Sequence, residues 1–72
     1  MTKENPISPA YLPARLVAAR YASTIRTIDR WEADDRLNFP APVYIGRMRF
    51  WRVADLEAWE AVQARRGEEV AA

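Results

Sequence analysis

The chain has 72 residues, half of them hydrophobic, and a formal net charge of +1, which suits one small folded domain rather than a disordered segment. It contains no Cys and no His, so disulfides, thiolate or imidazole metal sites, thiol nucleophiles and imidazole general bases are excluded. No apolar run approaches the roughly 18 residues of a membrane span, and we expect a cytoplasmic protein that is not an enzyme and needs no cofactor or metal ion.

The charges are distributed unevenly along the chain. Residues 11–52 contain eight Arg and four acidic residues, whereas residues 53–72 contain two Arg and five acidic residues. Ten of the eleven basic residues are Arg, whose planar fork can hold a phosphate or a guanine edge through two hydrogen bonds. Codon bias in a GC-rich genome explains the preference for Arg over Lys equally well, but it does not explain the asymmetry.

The chain begins with a segment that has no helical or strand pattern. Residues 1–10 contain two prolines, and we expect them to form a flexible arm before a single domain over residues 11–66. The first helix is predicted over residues 13–21, because Pro13 suits a first helical position and good helix formers follow it.

The second helix is predicted over residues 25–33, with Thr24 as its N-cap. Ile28 and Trp31 then lie three residues apart on one side of this helix, and we expect both to enter the core. Two short helices joined by a turn of about three or four residues form a helix-turn-helix unit.

A hairpin is predicted after a linker over residues 34–42, whose two prolines cannot continue the helix. Gly46 and Arg47 suit a two-residue type II′ turn between two strands. This turn sets the register, in which the opposed pairs are Ile45 with Met48, Tyr44 with Arg49, and Val43 with Phe50.

The register sorts the hairpin side chains into two faces. Four apolar side chains share the face that we expect to pack on the helices: Val43, Ile45, Met48 and Phe50. Tyr44 and Arg49 share the opposite face, and Arg47 lies at the tip.

The last helix is predicted from Val53 to about Arg66, with Gly67 as its stop and residues 67–72 as a disordered tail. Because this helix is acidic, we expect it to lie on the side away from a nucleic acid. The predicted fold is therefore mainly α-helical with a small β-hairpin.

Four aromatic side chains fall at predicted buried positions: Trp31, Phe39, Phe50 and Trp59. We expect them in the core rather than on a stacking platform for single-stranded nucleic acid, because a domain this small needs them for packing. For Trp51 and Tyr44 the sequence does not decide between core packing and a stacking platform.

The order of helix, turn, helix, hairpin and helix resembles the compact winged helix-turn-helix of phage excisionases and AlpA-type regulators, which are relatives of the MerR DNA-binding domain. The resemblance covers about residues 11–60. It is carried by six segments in this order: Val17-Ala18-Ala19-Arg20; Thr24, Thr27, Ile28, Arg30 and Trp31 within STIRTIDRW; Phe39-Pro40-Ala41-Pro42-Val43; Ile45-Gly46-Arg47; Phe50-Trp51-Arg52; and Asp55-Leu56-Glu57-Ala58-Trp59. Each segment is a weak signal singly, and the six in this order are fairly specific.

The sequence departs from the family pattern at four positions. Ala22 stands in the turn where Gly is common, and Leu16 stands where a polar residue is common. Ile25 and Asp29 occupy second-helix positions that usually carry polar or aromatic residues, so individual base contacts do not transfer from the relatives.

The resemblance implies that the second helix enters the major groove of double-stranded DNA while the hairpin, or wing, reaches the adjacent minor groove. The candidate major-groove residues are Thr24, Ile25, Arg26, Thr27, Asp29 and Arg30. The candidates for wing and backbone contacts are Arg36, Tyr44, Arg47 and Arg49. Arg26 and Arg30 are i,i+4 neighbours that can reach adjacent guanine edges or flanking phosphates.

The family role is that of an excisionase, or recombination directionality factor, which binds and bends DNA beside an attachment site so that a tyrosine-recombinase integrase excises a mobile element. We expect this role here, in a bacterial or phage protein associated with the nucleoid, with several copies bound head to tail. A transcriptional regulator that uses the same surface is the alternative. A protein-interaction adaptor that uses Leu16 and the acidic last helix is a third hypothesis; a membrane and a small-molecule substrate are not expected partners.

Overall fold

The computed structural model describes residues 10–71. Along the chain these form β1 (Tyr11–Pro13), α1 (Ala14–Arg20), α2 (Ile25–Ala33), β2 (Val43–Ile45), β3 (Met48–Arg52) and α3 (Val53–Ala71). The three strands make one antiparallel sheet in the order β1-β3-β2. The predicted order of two helices, a hairpin and a last helix is confirmed, within a mixed α/β domain whose hairpin belongs to a three-stranded sheet. In the described part of the chain, no helix is both long and apolar enough to cross a membrane.

Strand β1 occupies part of the stretch that the sequence assigns to the first helix. Pro13 does not begin that helix: it is the N-cap residue in an extended conformation, and α1 starts at Ala14. Leu12 pairs with Trp51 and Pro13 pairs with Phe50 of β3. The carbonyl of Ala10 also accepts a hydrogen bond from the backbone N–H of Val53 at 2.9 Å, so this residue of the expected arm belongs to the domain. Residues 1–9 lie outside the described residues.

The predicted hairpin register is confirmed, with Ile45 opposite Met48, and so are the other two pairs. The predicted packing face is wrong. Ile45 and Met48 are each 54% exposed, whereas Trp51, on the opposite face of β3, is fully buried. Burial of the largest side chain on the strand decides the orientation, because it removes more apolar area from water than burial of the smaller residues at the tip.

The core lies between the inner face of the sheet and the three helices. Its buried members are Val17, Ala18, Ile28, Trp51 and Leu56. A cluster of half-buried aromatic rings contacts Trp51 through Phe39, with neighbouring ring centroids 4.9–6.0 Å apart: Tyr21, Trp31, Phe39 and Trp59. Three of the four expected core aromatics are therefore in or beside the core, and Phe50 is on the outer face of the sheet.

The linker between α2 and β2 is fixed by two indole groups. The indole N–H of Trp51 donates to the carbonyl of Pro40 at 2.8 Å, and that of Trp59 donates to the carbonyl of Leu37 at 3.0 Å. A proline-containing loop has backbone carbonyls without ladder partners, and these two bonds satisfy two of them. The hairpin is thereby held in place from the linker side as well as from β1.

Helix α3 continues beyond its predicted end at about Arg66. Gly67 does not stop the helix, and residues 67–71, expected to be a disordered tail, are helical. A single Gly in a helix interior costs only about 1 kcal/mol, and the Glu and Ala residues that follow Gly67 are good helix formers.

Glu60 joins α3 to the end of α1. Its two carboxylate oxygens accept hydrogen bonds from Nε and Nη2 of Arg20, at 2.6 Å and 2.9 Å, and the hydroxyl of Tyr21 donates to the carboxylate at 2.6 Å. The bond from Arg20 is the main cause that holds the pKa of Glu60 below its ordinary value. Burial, followed by the bond to Glu60, raises the pKa of Tyr21.

The substitution Trp51→Ala is expected to unfold the domain, because losing a fully buried aromatic side chain costs about 3–5 kcal/mol, close to the whole stability of a small domain. Phe50→Ala, at the neighbouring outward-facing position, is expected to cost about 1–2 kcal/mol and to keep a cooperative transition. Urea unfolding followed by circular dichroism measures both. A larger loss from Phe50→Ala would contradict the orientation of the sheet.

The substitution Glu60→Gln is expected to lower the free energy of unfolding by about 1 kcal/mol at neutral pH. Because the folded pKa of Glu60 lies below the value of about 4.3 for an unfolded chain, its contribution is complete above that pH and is lost as the pH falls through the folded pKa. The stability difference between wild type and Glu60→Gln should therefore shrink in acid. Glu57→Gln, at an exposed position of the same helix, is the control. A stability difference for Glu60→Gln that persists unchanged in acid would contradict the stabilising role of the Arg20–Glu60 ion pair.

Candidate functional site

The start of α2 is set by Thr24. The Thr24 hydroxyl oxygen accepts a hydrogen bond from the backbone N–H of Thr27 at 3.3 Å, which confirms the predicted N-cap. The two threonine hydroxyls are also 3.3 Å apart. Both threonines were predicted as major-groove residues. Thr27 is half-buried and takes part in the cap, whereas Thr24 is exposed at the N-terminal end of the helix.

The turn between α1 and α2 has the geometry that usually requires glycine. Ala22 has a φ of 52°, in the left-handed region. The backbone N–H groups of Ala22 and Ser23 donate to the carbonyls of Ala19 and Ala18, at 3.0 Å and 2.8 Å, which is the Schellman pattern of helix termination. Ala22 therefore adopts the left-handed conformation that Gly commonly supplies at such a position.

The outer face of α2, as we use the term, consists of Ile25, Arg26, Asp29 and Arg30. All four side chains are exposed, while Ile28 on the opposite side is fully buried. Among the side chains that the structure describes, those of residues 10–67, no carboxylate lies within ion-pair distance of Arg26 or Arg30. Four residues advance an α-helix by about 6 Å, so the two guanidinium groups point from neighbouring turns into solvent.

The hairpin presents a second group of candidate residues. Arg47 lies exposed in the turn beside Gly46, whose φ of 63° is the left-handed conformation that a two-residue hairpin turn needs. Tyr44 is 65% exposed on β2. Arg36 lies exposed in the linker, where its backbone N–H donates to a carboxylate oxygen of Asp34 at 3.0 Å.

Arg49 lies elsewhere than the sequence predicts. It was expected on the outer side of the hairpin, but the structure places it between β3 and α2. Its Nη2 is 2.7 Å from Oδ1 of Asp29, and its Nη1 donates to Oε1 of Glu32 at 2.7 Å. The hydrogen bond to Asp29 is the main cause that raises the pKa of Arg49. The reason for the difference is the orientation of the sheet, since the face that buries Trp51 also carries Arg49.

The sequence analysis missed this ion-pair group, although two signals for it were present. Asp29 and Glu32 are three residues apart and therefore lie on the same side of α2. Arg49 and Trp51 are two residues apart and therefore share a face of β3. The Arg49 guanidinium carbon is 5.4 Å from the centre of the Trp51 ring, a cation–π distance.

The ion-pair group brings the hairpin next to the outer face of α2. A shallow groove of about 240 Å³ separates them, and its lining includes Ile25 of α2, Met48 of β3 and Arg15 of α1. The exposed apolar residues Ile25 and Met48 therefore lie along one groove. The start of β3 therefore lies across this groove from the first residue of α2.

Comparison of the chain with protein-family models, with curated protein sequences and with solved structures found no match. The resemblance to excisionases and AlpA-type regulators rests on the six sequence segments alone.

The substitution Ala22→Gly is expected to raise the free energy of unfolding by about 0.5 kcal/mol. Relief of the left-handed strain is worth about 1 kcal/mol, and the greater freedom of Gly in the unfolded chain offsets part of it. Ala61→Gly, at an exposed position inside α3, is the matched control and is expected to lose about 1 kcal/mol. Chemical unfolding measures the free energy of unfolding of both variants. A loss of stability for Ala22→Gly equal to that for Ala61→Gly would contradict the left-handed turn.

Proposed function

We propose that this chain is a sequence-specific double-stranded DNA-binding protein of the winged helix-turn-helix kind, with α2 in the major groove and the hairpin turn at the adjacent minor groove. The observation that carries the proposal is the pair Arg26 and Arg30, exposed on one face of α2 beside a hairpin that is tied to the same helix. The candidate DNA surface is defined as the outer face of α2 together with Thr24 and Arg47.

The size and chemistry of α2 suit the major groove. That groove is about 12 Å wide and admits an α-helix, and Arg is the side chain that most often binds guanine O6 and N7. Arg26 and Arg30 are spaced to reach neighbouring base pairs or the flanking phosphates. Ile25 beside them is suited to contact with a thymine methyl group.

The hairpin turn suits a second, less sequence-dependent contact. Arg47 is exposed in a short turn, a shape that can enter a minor groove, where a narrow A·T-rich segment attracts Arg. Tyr44 and Arg36 are the candidates for hydrogen bonds to the DNA backbone. These contacts would set the position of α2 in the groove more than they would select bases.

The proposed biological role is excision of a mobile element with a tyrosine-recombinase integrase as partner. A domain of this size covers about one half-site, so we propose that several copies bind side by side, head to tail, and bend the DNA. Support for this role comes from the family resemblance. Transcriptional regulation through the same surface is the alternative, and the two roles differ in their requirement for an integrase.

The substitutions Arg26→Ala and Arg30→Ala are each expected to weaken binding to a selected site by about 1–3 kcal/mol if the lost contact is bidentate to a base. The site is selected from a library of random duplexes of about 30 base pairs, roughly three helical turns. Arg65→Ala, at an exposed position of α3, is the control and should bind as the wild type does. Fluorescence anisotropy over a range of salt concentrations measures the affinities.

The same titrations separate base contacts from phosphate contacts. Arg47→Ala should reduce the slope of log affinity against log salt by about 1 and change sequence preference less than the α2 variants do. Equal affinity of wild type, Arg26→Ala and Arg30→Ala for the selected site would remove α2 from the proposed interface. Failure of the wild type to bind any duplex at low salt would favour the adaptor hypothesis.

The excisionase role is tested in a reconstituted reaction with a tyrosine-recombinase integrase and a supercoiled substrate that carries the integrase's attachment sites. We expect the yield of excised circle to depend on this protein and to fall with Arg26→Ala in proportion to the loss of DNA affinity. An unchanged yield when the protein is left out would reject this role and leave transcriptional regulation as the function of the DNA-binding surface.

A further inference from the structure

Two carboxylates lie on α2, close to the surface that is proposed to meet DNA. Asp29 belongs to the outer face of α2, and Glu32 is three residues further along the same side of the helix. A carboxylate near a phosphate backbone is repelled, and two carboxylates on a major-groove helix would oppose the attraction of Arg26 and Arg30.

One side chain contacts both carboxylates. The Nη2 and Nη1 atoms of Arg49 are each 2.7 Å from a carboxylate oxygen, of Asp29 and of Glu32 respectively. The planar guanidinium fork can hold two acids at once, which a Lys ammonium on the same strand could not do with the same geometry. The three groups together carry a net charge of −1 instead of −2.

The position of Arg49 is determined by the core. Its guanidinium lies over the ring of Trp51, which is fully buried and whose indole N–H is bonded to the carbonyl of Pro40. The Arg49 side chain is only 23% exposed, far less than Asp29 at 55%. To reach a phosphate, Arg49 would have to leave two short ion pairs and its contact with Trp51, and it would uncover both acids.

We propose that Arg49 supports DNA binding without touching DNA, as a positioning residue that holds Asp29 and Glu32 and offsets one of their two negative charges on α2. This inference rests on the proposed DNA-binding function. It assigns the two hairpin arginines different roles: Arg47 meets the DNA, and Arg49 cancels charge on the DNA-reading helix.

A double-mutant cycle tests the proposal. Arg49→Met keeps an apolar stem over Trp51 and removes the charge, and it is expected to weaken binding to the selected duplex about tenfold. In the Asp29→Asn, Glu32→Gln background, where no acid remains to be held, the same substitution should cost a smaller factor than in the wild type, because only the screened long-range attraction of one charge is then lost. Arg47→Met is the matched control and should lose the same factor in both backgrounds.

An equal loss from Arg49→Met in both backgrounds, as for Arg47→Met, would overturn the proposal, because Asp29 and Glu32 would then play no part in the effect of Arg49. Thermal unfolding of every variant, measured first, confirms that each is folded at the temperature of the binding experiment. These outcomes are distinct from failure of the proposed function, because in that case the wild type itself would not bind the duplex.

A measurement on the wild type keeps the proposal testable if Arg49→Met does not fold. In nitrogen-15 spectra of the arginine side chains, addition of the selected duplex should shift the signals of Arg26, Arg30 and Arg47. The guanidinium signal of Arg49 should stay near its position in the free protein. A shift of the Arg49 signal as large as that of Arg47 would overturn the proposal.

Discussion

Burial of the Trp51 side chain is the interaction on which the rest of this small domain depends. The indole fills the space between the sheet and the helices, and its N–H donates to the carbonyl of Pro40, which satisfies a polar group that burial would otherwise penalise. Burial of Trp51 determines which face of β3 points inward, and the bond to Pro40 determines where the linker lies. Leu12 of β1 pairs with Trp51, so β1 joins the sheet at the same position. A domain of 72 residues has few buried side chains of this size to share that role.

The candidate site follows from the same orientation. With Trp51 inside, Arg49 two residues earlier also points inward, toward the carboxylates of Asp29 and Glu32. The hairpin and α2 are therefore joined by ion pairs, and Arg47 in the turn faces solvent. The ion pair between Arg20 and Glu60 likewise joins α3 to the end of α1.

Sequence patterns predicted the features that have local causes. The N-cap at Thr24, the register around Gly46 and the limits of α2 each depend on a few adjacent residues, and all three are confirmed. The orientation of the sheet could not be predicted in this way, because β3 has apolar side chains on both faces and only packing in three dimensions selects Trp51 over Phe50. The place of Arg49 was missed for the same reason. Strand β1 is three residues long, too short for any periodic pattern, and it exists because β3 offers it an edge.

The central claim is that the outer face of α2 and the hairpin turn together form a DNA-binding surface. Backbone amide spectra of the nitrogen-15-labelled protein, recorded as a selected duplex is added, test it most directly. We predict that the amides of residues 24–30 and 46–47 shift on binding, while those in the middle of α3 keep their positions. Shifts confined to α3, or distributed without regard to α2 and the turn, would contradict the account.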